Sequence, residues 1–309
     1  MVCRESVRIT GCTQHGVIFM MYDVIIVGGS YAGLSAGLQL ARARRQVLVI
    51  DAGQRRNRFA ATSHGFLGQD GQAPAIIAAE GRSQLMEYAT VTWVQDRVVE
   101  ADGFSVRTEH NGTFEGRRLI LATGVVDVLP DIEGLEERWG KHVFHCPYCH
   151  GYELDQGRIG VLATSPLAMH HALMLPDWGT TTLFTNGVFT PDAEQQAQLD
   201  RRGVRVESRV VRRICGARAD LELDDGRVFS LDGLFTMSRT QISPLAAQLG
   251  CELADGPTGP YLFTNDMRQT SVPDVFACGD ASLAAGSVAL AVAEGVRAGV
   301  GAHFSLISG

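Results

Sequence analysis

The chain of 309 residues has few aromatic residues, 7% of the total, and no excess of positive charge. Its net charge of −7 argues against a nucleic-acid binder, because such proteins normally present a basic surface. No apolar run approaches the roughly 18 residues that a membrane helix needs, since the longest, 17–29, is interrupted by Asp23. We therefore expect neither a nucleic-acid nor a membrane partner.

Cysteine is scarce for a chain of this length, with seven residues in all. This excludes the small, disulfide-dense secreted scaffolds, and we expect mostly reduced thiols and a cytoplasmic location. Residues 1–20 lack the apolar core of a secretory signal, so we expect a frayed tail or a start-site artefact there, with no function for Cys3 or Cys12. Glycine, in contrast, is abundant at 35 residues, which suits an α/β protein with many tight turns.

Residues 23–51 have the pattern of a strand, a glycine-rich turn, a helix and a second strand. Gly28 allows the tight turn, Gly33 lets the helix approach the strand, and Asp51 ends the second strand, where a carboxylate can bind a ribose hydroxyl. The helix N-terminus would then direct free N–H groups at a pyrophosphate. Ser30 stands where the motif has its middle glycine, and it is small enough to keep the site. The segment predicts a dinucleotide-binding βαβ unit; the alternative is a packing unit without a ligand.

A second copy of this pattern follows in residues 158–186, with a strand predicted over 159–163, a helix over 167–175 and a strand over 182–185. The signature positions are changed: they hold Ala163, Ser165, Ala168 and Asn186. No arginine follows the second strand, where NADP enzymes bind the 2′-phosphate. We interpret this unit as a nucleotide site that is lost or badly weakened. The alternative is a non-standard loop that still binds NAD(P)H through other backbone donors.

Between the copies lies the motif His145-Cys146-Pro147-Tyr148-Cys149-His150. The Cys-x-x-Cys spacing lets two sulfurs form one disulfide, and a helix N-terminus or an imidazole lowers a thiol pKa towards neutrality. We predict a catalytic dithiol with His145 and His150 as proton carriers. Zinc would need two further ligands and there is no second cysteine pair, so we predict no metal site. A static structural disulfide, or two buried thiols flanked by histidines, would also fit the spacing.

Two further markers are LILATG at 119–124 and VFACGD at 275–280, followed by a helix predicted over 287–297. With the first βαβ unit and the dithiol, they make the chain resemble the low-molecular-weight thioredoxin reductase family of flavoproteins over 22–308. The resemblance implies an α/β fold of two Rossmann-like domains, the second inserted into the first. It places an FAD-binding domain at 21–126 and 237–309, and the inserted NAD(P)-binding-like domain, which carries the dithiol, at 127–236. It also implies a homodimer.

The resemblance assigns roles to individual residues. Cys149 would be the flavin-proximal sulfur, Cys146 would exchange with substrate, and His64 would approach the flavin. The expected FAD-binding residues are Gly28, Gly29, Ser30, Ala32, Gly33, Asp51, Arg56, Asn57, Thr123, Gly124, Gly279 and Asp280. Asp280 would bind the ribityl chain.

Two departures from ordinary thioredoxin reductases are informative. His150 follows the second cysteine where those enzymes have aspartate, and the second nucleotide loop reads ATSPLA. Both changes are similar to the dithiol oxidases of gliotoxin and holomycin biosynthesis, which close a disulfide in a small metabolite and pass the electrons from flavin to O2. The leading hypothesis is therefore an FAD-dependent dithiol oxidase with a small-molecule dithiol as substrate.

Two other hypotheses stay open. The first is a reductase driven by NAD(P)H or reduced ferredoxin, acting on a small disulfide or a thioredoxin-like protein. The second is a flavin-binding sensor or carrier without turnover. The sequence does not identify the substrate, and we assign no role to Cys215, Cys251, His170 or His171 beyond packing or exposure.

Overall fold

The structure is a computed structural model that describes residues 21–308, so the expectations for residues 1–20 lie outside the described residues. Among residues 21–308 the strands are β1 (Met21–Tyr22), β2 (Val24–Val27), β3 (Val47–Asp51), β4 (Val91–Gln95), β5 (Val98–Asp102), β6 (Ser105–Thr108), β7 (Thr113–Gly116), β8 (Leu119–Leu121), β9 (Val125–Val128), β10 (Val143–Phe144), β11 (Gln156–Leu162), β12 (Gly179–Phe184), β13 (Arg205–Glu207), β14 (Val211–Cys215), β15 (Asp220–Leu223), β16 (Val228–Phe229), β17 (Gly233–Thr236), β18 (Arg239–Ile242), β19 (Leu253–Asp255), β20 (Pro260–Leu262) and β21 (Val275–Ala277). The α-helices are α1 (Tyr31–Arg42), α2 (Pro74–Met86), α3 (Pro147–His150), α4 (Ala168–Met174), α5 (Ala193–Arg201), α6 (Leu245–Gln248) and α7 (Val288–Ser308), and short 3₁₀ turns lie at Glu136–Arg138, Tyr152–Leu154, Leu175–Asp177 and Gly279–Ser282.

The first parallel sheet has the strand order β21-β8-β2-β3-β4. Every residue of β2 is buried, as expected for a parallel strand that is covered on both faces. Helices α1 and α7 pack against each other at close range, because Gly295 lies directly over the Ala32 carbonyl, where a Cβ would overlap the backbone. Helix α7 is longer than predicted and continues to Ser308, since its apolar and small residues run on beyond Arg297.

The second parallel sheet has the order β10-β17-β11-β12-β13. It is the second copy of the strand–helix–strand pattern, and its core includes Phe235 and Leu183. The predicted helix over 167–175 is shorter here: α4 ends at Met174, and Pro176 lies in the 3₁₀ turn that follows. The two strands begin three residues earlier than predicted, because the polar residues at their starts still pair across the sheet. The α/β class with two Rossmann-like units is confirmed.

Two connections join the parallel sheets. The chain leaves the first sheet after β8, runs through β9 into the second, and returns through β18 before β21. Strands β9 and β18 pair with each other in antiparallel register, Val125 opposite Ile242 and Val128 opposite Arg239. The domain boundaries predicted at 126/127 and 236/237 fall at these connections and stay a prediction. Among residues 21–308, no helix has the length and apolar character needed to cross a membrane.

Candidate active site

The glycine-rich turn after β2 has the close contacts that the motif predicts. Gly28 has a φ of 105°, a left-handed conformation that favours glycine, and a Cβ there would overlap the Ala122 carbonyl. A Cβ at Gly33 would overlap the Gly28 carbonyl, so glycine is what lets α1 begin so near the strand. Asp51 accepts a hydrogen bond from the Gly29 amide at 3.1 Å, which holds the carboxylate beside the turn.

A cavity of about 460 Å³ opens at the carboxyl ends of the first sheet's strands. Eleven of the twelve residues predicted to bind FAD line it: Gly28, Gly29, Ser30, Ala32, Asp51, Arg56, Asn57, Thr123, Gly124, Gly279 and Asp280. The exception is Gly33, which was expected to bind FAD but lies behind the turn, where its missing Cβ lets α1 begin close to the Gly28 carbonyl. His64, His145, Cys149 and His150 also line the cavity, whereas Cys146 does not. The residues predicted to bind the nucleotide and one sulfur of the dithiol thus line the same cavity.

The residues of this cavity fit an anionic dinucleotide. Arg55 lines it, and the Arg55 Nε is buried without a hydrogen-bond partner among the described residues. A phosphate oxygen would satisfy this donor, beside the N-terminus of α1. Arg55 was not predicted as a site residue; the signal available in the sequence was a basic side chain in the loop that follows Asp51.

Arg56 joins two acidic residues at the wall of the cavity. Its Nε and Nη2 donate to the two Asp127 carboxylate oxygens at 2.8 and 2.7 Å, and its Nη1 donates to Asp280 Oδ2 at 2.9 Å. Burial alone would lower the pKa of Arg56, but the hydrogen bond to Asp127 and the charge of Asp280 raise it. Burial likewise opposes ionisation of Asp127, yet Arg56 and the Ser238 hydroxyl hold its pKa below the usual value. Asp127 is therefore ionised beside the guanidinium, which also contacts Asp280.

Cys146 and Cys149 form a disulfide in the segment that joins β10 to β11 of the second sheet. Cys146 precedes the four-residue helix α3, and Cys149 is its third residue, so the helix begins after the first cysteine rather than at the second. Tyr148 and Tyr152, 73% and 85% exposed, flank the motif on the solvent side, and the Tyr148 ring meets the Trp178 ring edge-on at 5.4 Å. The disulfide therefore lies between the cavity and solvent.

The two histidines of the motif are held by aromatic rings. His150 stacks on Phe144 with ring centroids 4.4 Å apart, and His145 stacks on Trp139 at 5.9 Å. Burial lowers the pKa of His150 to about 4, and the nearby His64 adds to the effect. Burial and the charge of Arg56 lower the pKa of His145 to about 4, with Asp127 opposing them. Both imidazoles are neutral at pH 7, and their lowered pKa values make them weak bases.

His64 lies in the loop before α2 and reaches the segment that carries the dithiol. Its Nε2 is 3.3 Å from Glu153 Oε1, and its Nδ1 is 3.6 Å from Asp70 Oδ1. The side chain thus lies between one carboxylate of its own loop and one from the 3₁₀ turn that follows α3. It also lines the cavity near His150, and its predicted approach to the flavin stays a prediction.

The loop of the second nucleotide-like unit uses its polar groups within the protein. Ser165 Oγ accepts a hydrogen bond from the Leu167 amide at 3.3 Å, and the Thr164 hydroxyl donates to the Met237 carbonyl at 3.1 Å. Asn186, at the position that corresponds to Asp51, accepts a hydrogen bond from the Val211 amide at 2.8 Å. The Thr164 and Ser165 hydroxyls and Asn186 Oδ1 are thus engaged within the protein.

The remaining thiols and histidines lie outside the dithiol. Cys278 lines the cavity but is fully buried, and burial raises the pKa of its thiol to about 12, so it stays protonated. Cys251 is buried, and Cys215 is partly buried. On helix α4 His170 is exposed and His171 is 4% exposed.

Comparison with known proteins agrees with this geometry. The family described as pyridine nucleotide-disulphide oxidoreductase matches residues 22–295. A thioredoxin reductase of Claviceps purpurea, tcpT, is 34% identical over 305 residues, which cover 93% of this chain and 94% of that protein. The crystal structure of an oxidoreductase from Agrobacterium tumefaciens is 57% identical with a TM-score of 0.91, covering 94% of this chain and 99% of that one. The crystal structure of HlmI is 33% identical with a TM-score of 0.86, covering 97% and 95%.

The chain belongs to the pyridine nucleotide-disulphide oxidoreductase family. It is an FAD-dependent oxidoreductase that acts on sulfur groups, similar over nearly its whole length to the thioredoxin reductase-like proteins. The family resemblance of the sequence motifs is confirmed.

Proposed function

We propose that the protein is a dithiol oxidase, which takes two electrons from a small-molecule dithiol and passes them to O2. The observation that supports this most is a contrast between the two nucleotide units. The first has an open cavity lined by Arg55, whose Nε has no partner among the described residues, and by one sulfur of the disulfide. The second has Ser165 and Asn186 engaged with its own backbone. This contrast supports a cofactor site beside the dithiol in the first unit and weakened nicotinamide binding in the second.

The positions of the two sulfurs suggest an order of events. A substrate thiolate attacks Cys146, the sulfur outside the cavity lining, and the Cys146–Cys149 bond breaks to give a mixed disulfide and a Cys149 thiolate. The second substrate thiolate attacks the substrate sulfur of that mixed disulfide, which closes the substrate disulfide and releases Cys146 as a thiolate. The protein now holds the two electrons that the substrate has lost.

The two protons of the substrate thiols pass to the motif histidines. His145 and His150 lie next to the cysteines in the chain and are neutral at pH 7, so each passes its proton on to solvent rather than storing it. FAD, held by residues such as Gly28, Asp51 and Asp280, would supply the two-electron acceptor that returns the cysteines to the disulfide, and the two electrons and two protons would leave with O2 as hydrogen peroxide. Tyr148 and Tyr152 are exposed beside the disulfide, where a substrate that approaches Cys146 would contact them.

An anaerobic titration followed by flavin absorbance tests this proposal. NADPH is added first and dithiothreitol second, and air is admitted at the end. We expect the flavin to stay oxidised with NADPH, to bleach with the dithiol, and to recover in air with one peroxide per disulfide formed. The Cys149→Ser variant is the control, because it keeps the cavity but lacks the sulfur that lines it. Stoichiometric bleaching by NADPH, or no bleaching by the dithiol, would refute the proposal.

A second candidate is a disulfide reductase driven by NAD(P)H or reduced ferredoxin, with a thioredoxin-like protein as its substrate. The names of the relatives favour it, since tcpT is called a thioredoxin reductase. An NADPH-driven enzyme should respond when Ala163 and Ser165 are both changed to glycine, whereas a ferredoxin-driven one should not. Reduction of thioredoxin disulfide by the wild-type protein with either donor would favour this candidate over the oxidase.

Two further parts of the proposal concern assembly and location. A homodimer is supported by the exposed apolar residues of α7, among them Val300, Phe304 and Ile307, and by the family resemblance. A cytoplasmic location is supported by free thiols at Cys215, Cys251 and Cys278. Size-exclusion chromatography with light scattering tests the dimer directly.

A further inference from the structure

The two connections between the parallel sheets meet at one carboxylate. Asp127 lies in β9, the outgoing connection, and Ser238 immediately precedes β18, the returning one. The Ser238 hydroxyl donates to Asp127 Oδ1 at 2.6 Å. Asp127 therefore fixes both connections at the point where the dithiol segment leaves and rejoins the first sheet.

Arg56 links Asp127 to the wall of the cofactor cavity. It comes from the loop after β3, and its planar guanidinium contacts both Asp127 oxygens and one oxygen of Asp280. The Arg56, Asp127 and Asp280 side chains are 22%, 9% and 19% exposed, so the cluster is largely withdrawn from water. A two-point contact of arginine with a carboxylate fixes orientation as well as distance, which lysine does not do.

We propose that Arg56 is a positioning residue, which clamps the connecting strands to the cavity wall and thereby holds the Cys146–Cys149 segment with Cys149 facing the cofactor. This inference rests on the proposed electron transfer from the dithiol to bound FAD. Without Arg56, two buried carboxylates would lose their only cation among the described side-chain contacts, and the connections would be free to move. The electron path would then be interrupted although every reacting residue is still present.

The test uses two readouts on the FAD-saturated protein. The first is trypsin cleavage after Arg239, an exposed residue of β18, followed by mass spectrometry. The second is the thiolate–flavin charge-transfer absorbance in a Cys146→Ser background, which requires Cys149 to lie against the flavin. Neither readout depends on turnover, and global stability is measured in parallel by urea unfolding.

Three variants separate charge from geometry. Arg56→Gln removes the charge, and Arg56→Lys keeps the charge but not the two-point contact. Asp127→Asn weakens the hold on the connections while leaving the Arg56–Asp280 contact in place. Arg107→Gln is the matched control, because Arg107 also makes a two-nitrogen contact with a carboxylate, Glu100, but on an exposed hairpin.

We expect cleavage after Arg239 to become about tenfold faster or more in Arg56→Gln and Asp127→Asn, the size expected when a hydrogen bond between charged groups is lost. The charge-transfer band should be lost in the same variants and partly kept in Arg56→Lys. The proposal is overturned if Arg56→Gln and Asp127→Asn match Arg107→Gln in both readouts. If Arg56→Gln does not fold, Asp127→Asn and Arg56→Lys decide. Absence of the band in the Cys146→Ser parent would contradict the proposed function instead, and the cleavage readout would still test the clamp.

Discussion

His171 is a buried histidine in the core of the second sheet, and its burial predicts a specific loss of stability in acid. The side chain is 4% exposed, its Nδ1 has no hydrogen-bond partner among the described residues, and its ring meets the Phe235 ring at 6.2 Å. Burial, with the nearby His170, lowers the pKa of His171 to about 4 from an ordinary 6.5. The folded protein therefore keeps this imidazole neutral in conditions where the unfolded chain binds a proton.

Proton linkage gives the sign and size of the change in the free energy of unfolding with pH. Because the folded pKa is depressed, the stability is fully present above pH 6.5 and is lost as the pH falls towards 4. With those two pKa values, the free energy of unfolding should fall by about 2 kcal/mol between pH 7 and pH 5 on account of His171 alone. His145 and His150 add losses of the same sign.

The assay is urea unfolding of FAD-saturated protein at pH 7 and pH 5, for the wild type and His171→Phe. The variant should lose about 2 kcal/mol less than the wild type between the two pH values. Any penalty for fitting the larger ring beside Phe235 occurs at both pH values and cancels in this comparison. His170→Phe, at the exposed neighbouring position, controls for the loss of an imidazole from this helix. An equal pH-dependent loss in the wild type and His171→Phe would refute the reasoning.

Three further predictions concern the cofactor site and the dithiol. Cys149→Ser should abolish bleaching of the flavin by dithiols in anaerobic spectroscopy, while flavin content stays near that of the wild type. Asp280→Ala should weaken FAD binding by roughly 1–3 kcal/mol in isothermal titration calorimetry, because it removes a hydrogen-bonding carboxylate that lines the cavity. Undiminished affinity would contradict the assigned role. Gly33→Ala should lower the melting temperature and the flavin content together, because its Cβ would overlap the Gly28 carbonyl. The control in thermal unfolding is Gly65→Ala, since Gly65 has a left-handed φ but open space where the Cβ would lie.

Local motifs were enough to predict most of the cofactor cavity. The contacts of Gly28, Gly33 and Asp51 are made within one strand–helix–strand unit, so their spacing in the sequence already determines how they meet. The same holds for Cys146 and Cys149, which are three residues apart in the chain. The domain boundaries and the roles of individual site residues stay predictions.

Contacts between distant segments could not be predicted in this way. Arg56 was expected to lie along FAD, but its contact with Asp127 joins residues 71 positions apart. That pairing depends on where the connecting strands cross the cavity wall, and no local pattern encodes it. The same reason explains why the link between His64 and Glu153 was not foreseen, since it forms only after the dithiol segment is placed beside the loop before α2.

The second nucleotide-like unit keeps its fold because its stability and its ligand chemistry depend on different residues. Its sheet is held by buried side chains such as Phe235 and Leu183, which lie inside the core. Ser165 and Asn186 lie in loops at the end of that sheet, and Ala163 is a small residue that packs within the same core. The unit still supports the dithiol through β10, which ends at Phe144 against the His150 ring, directly before the redox motif. Selection for dithiol chemistry would therefore preserve this unit even where nicotinamide binding is lost.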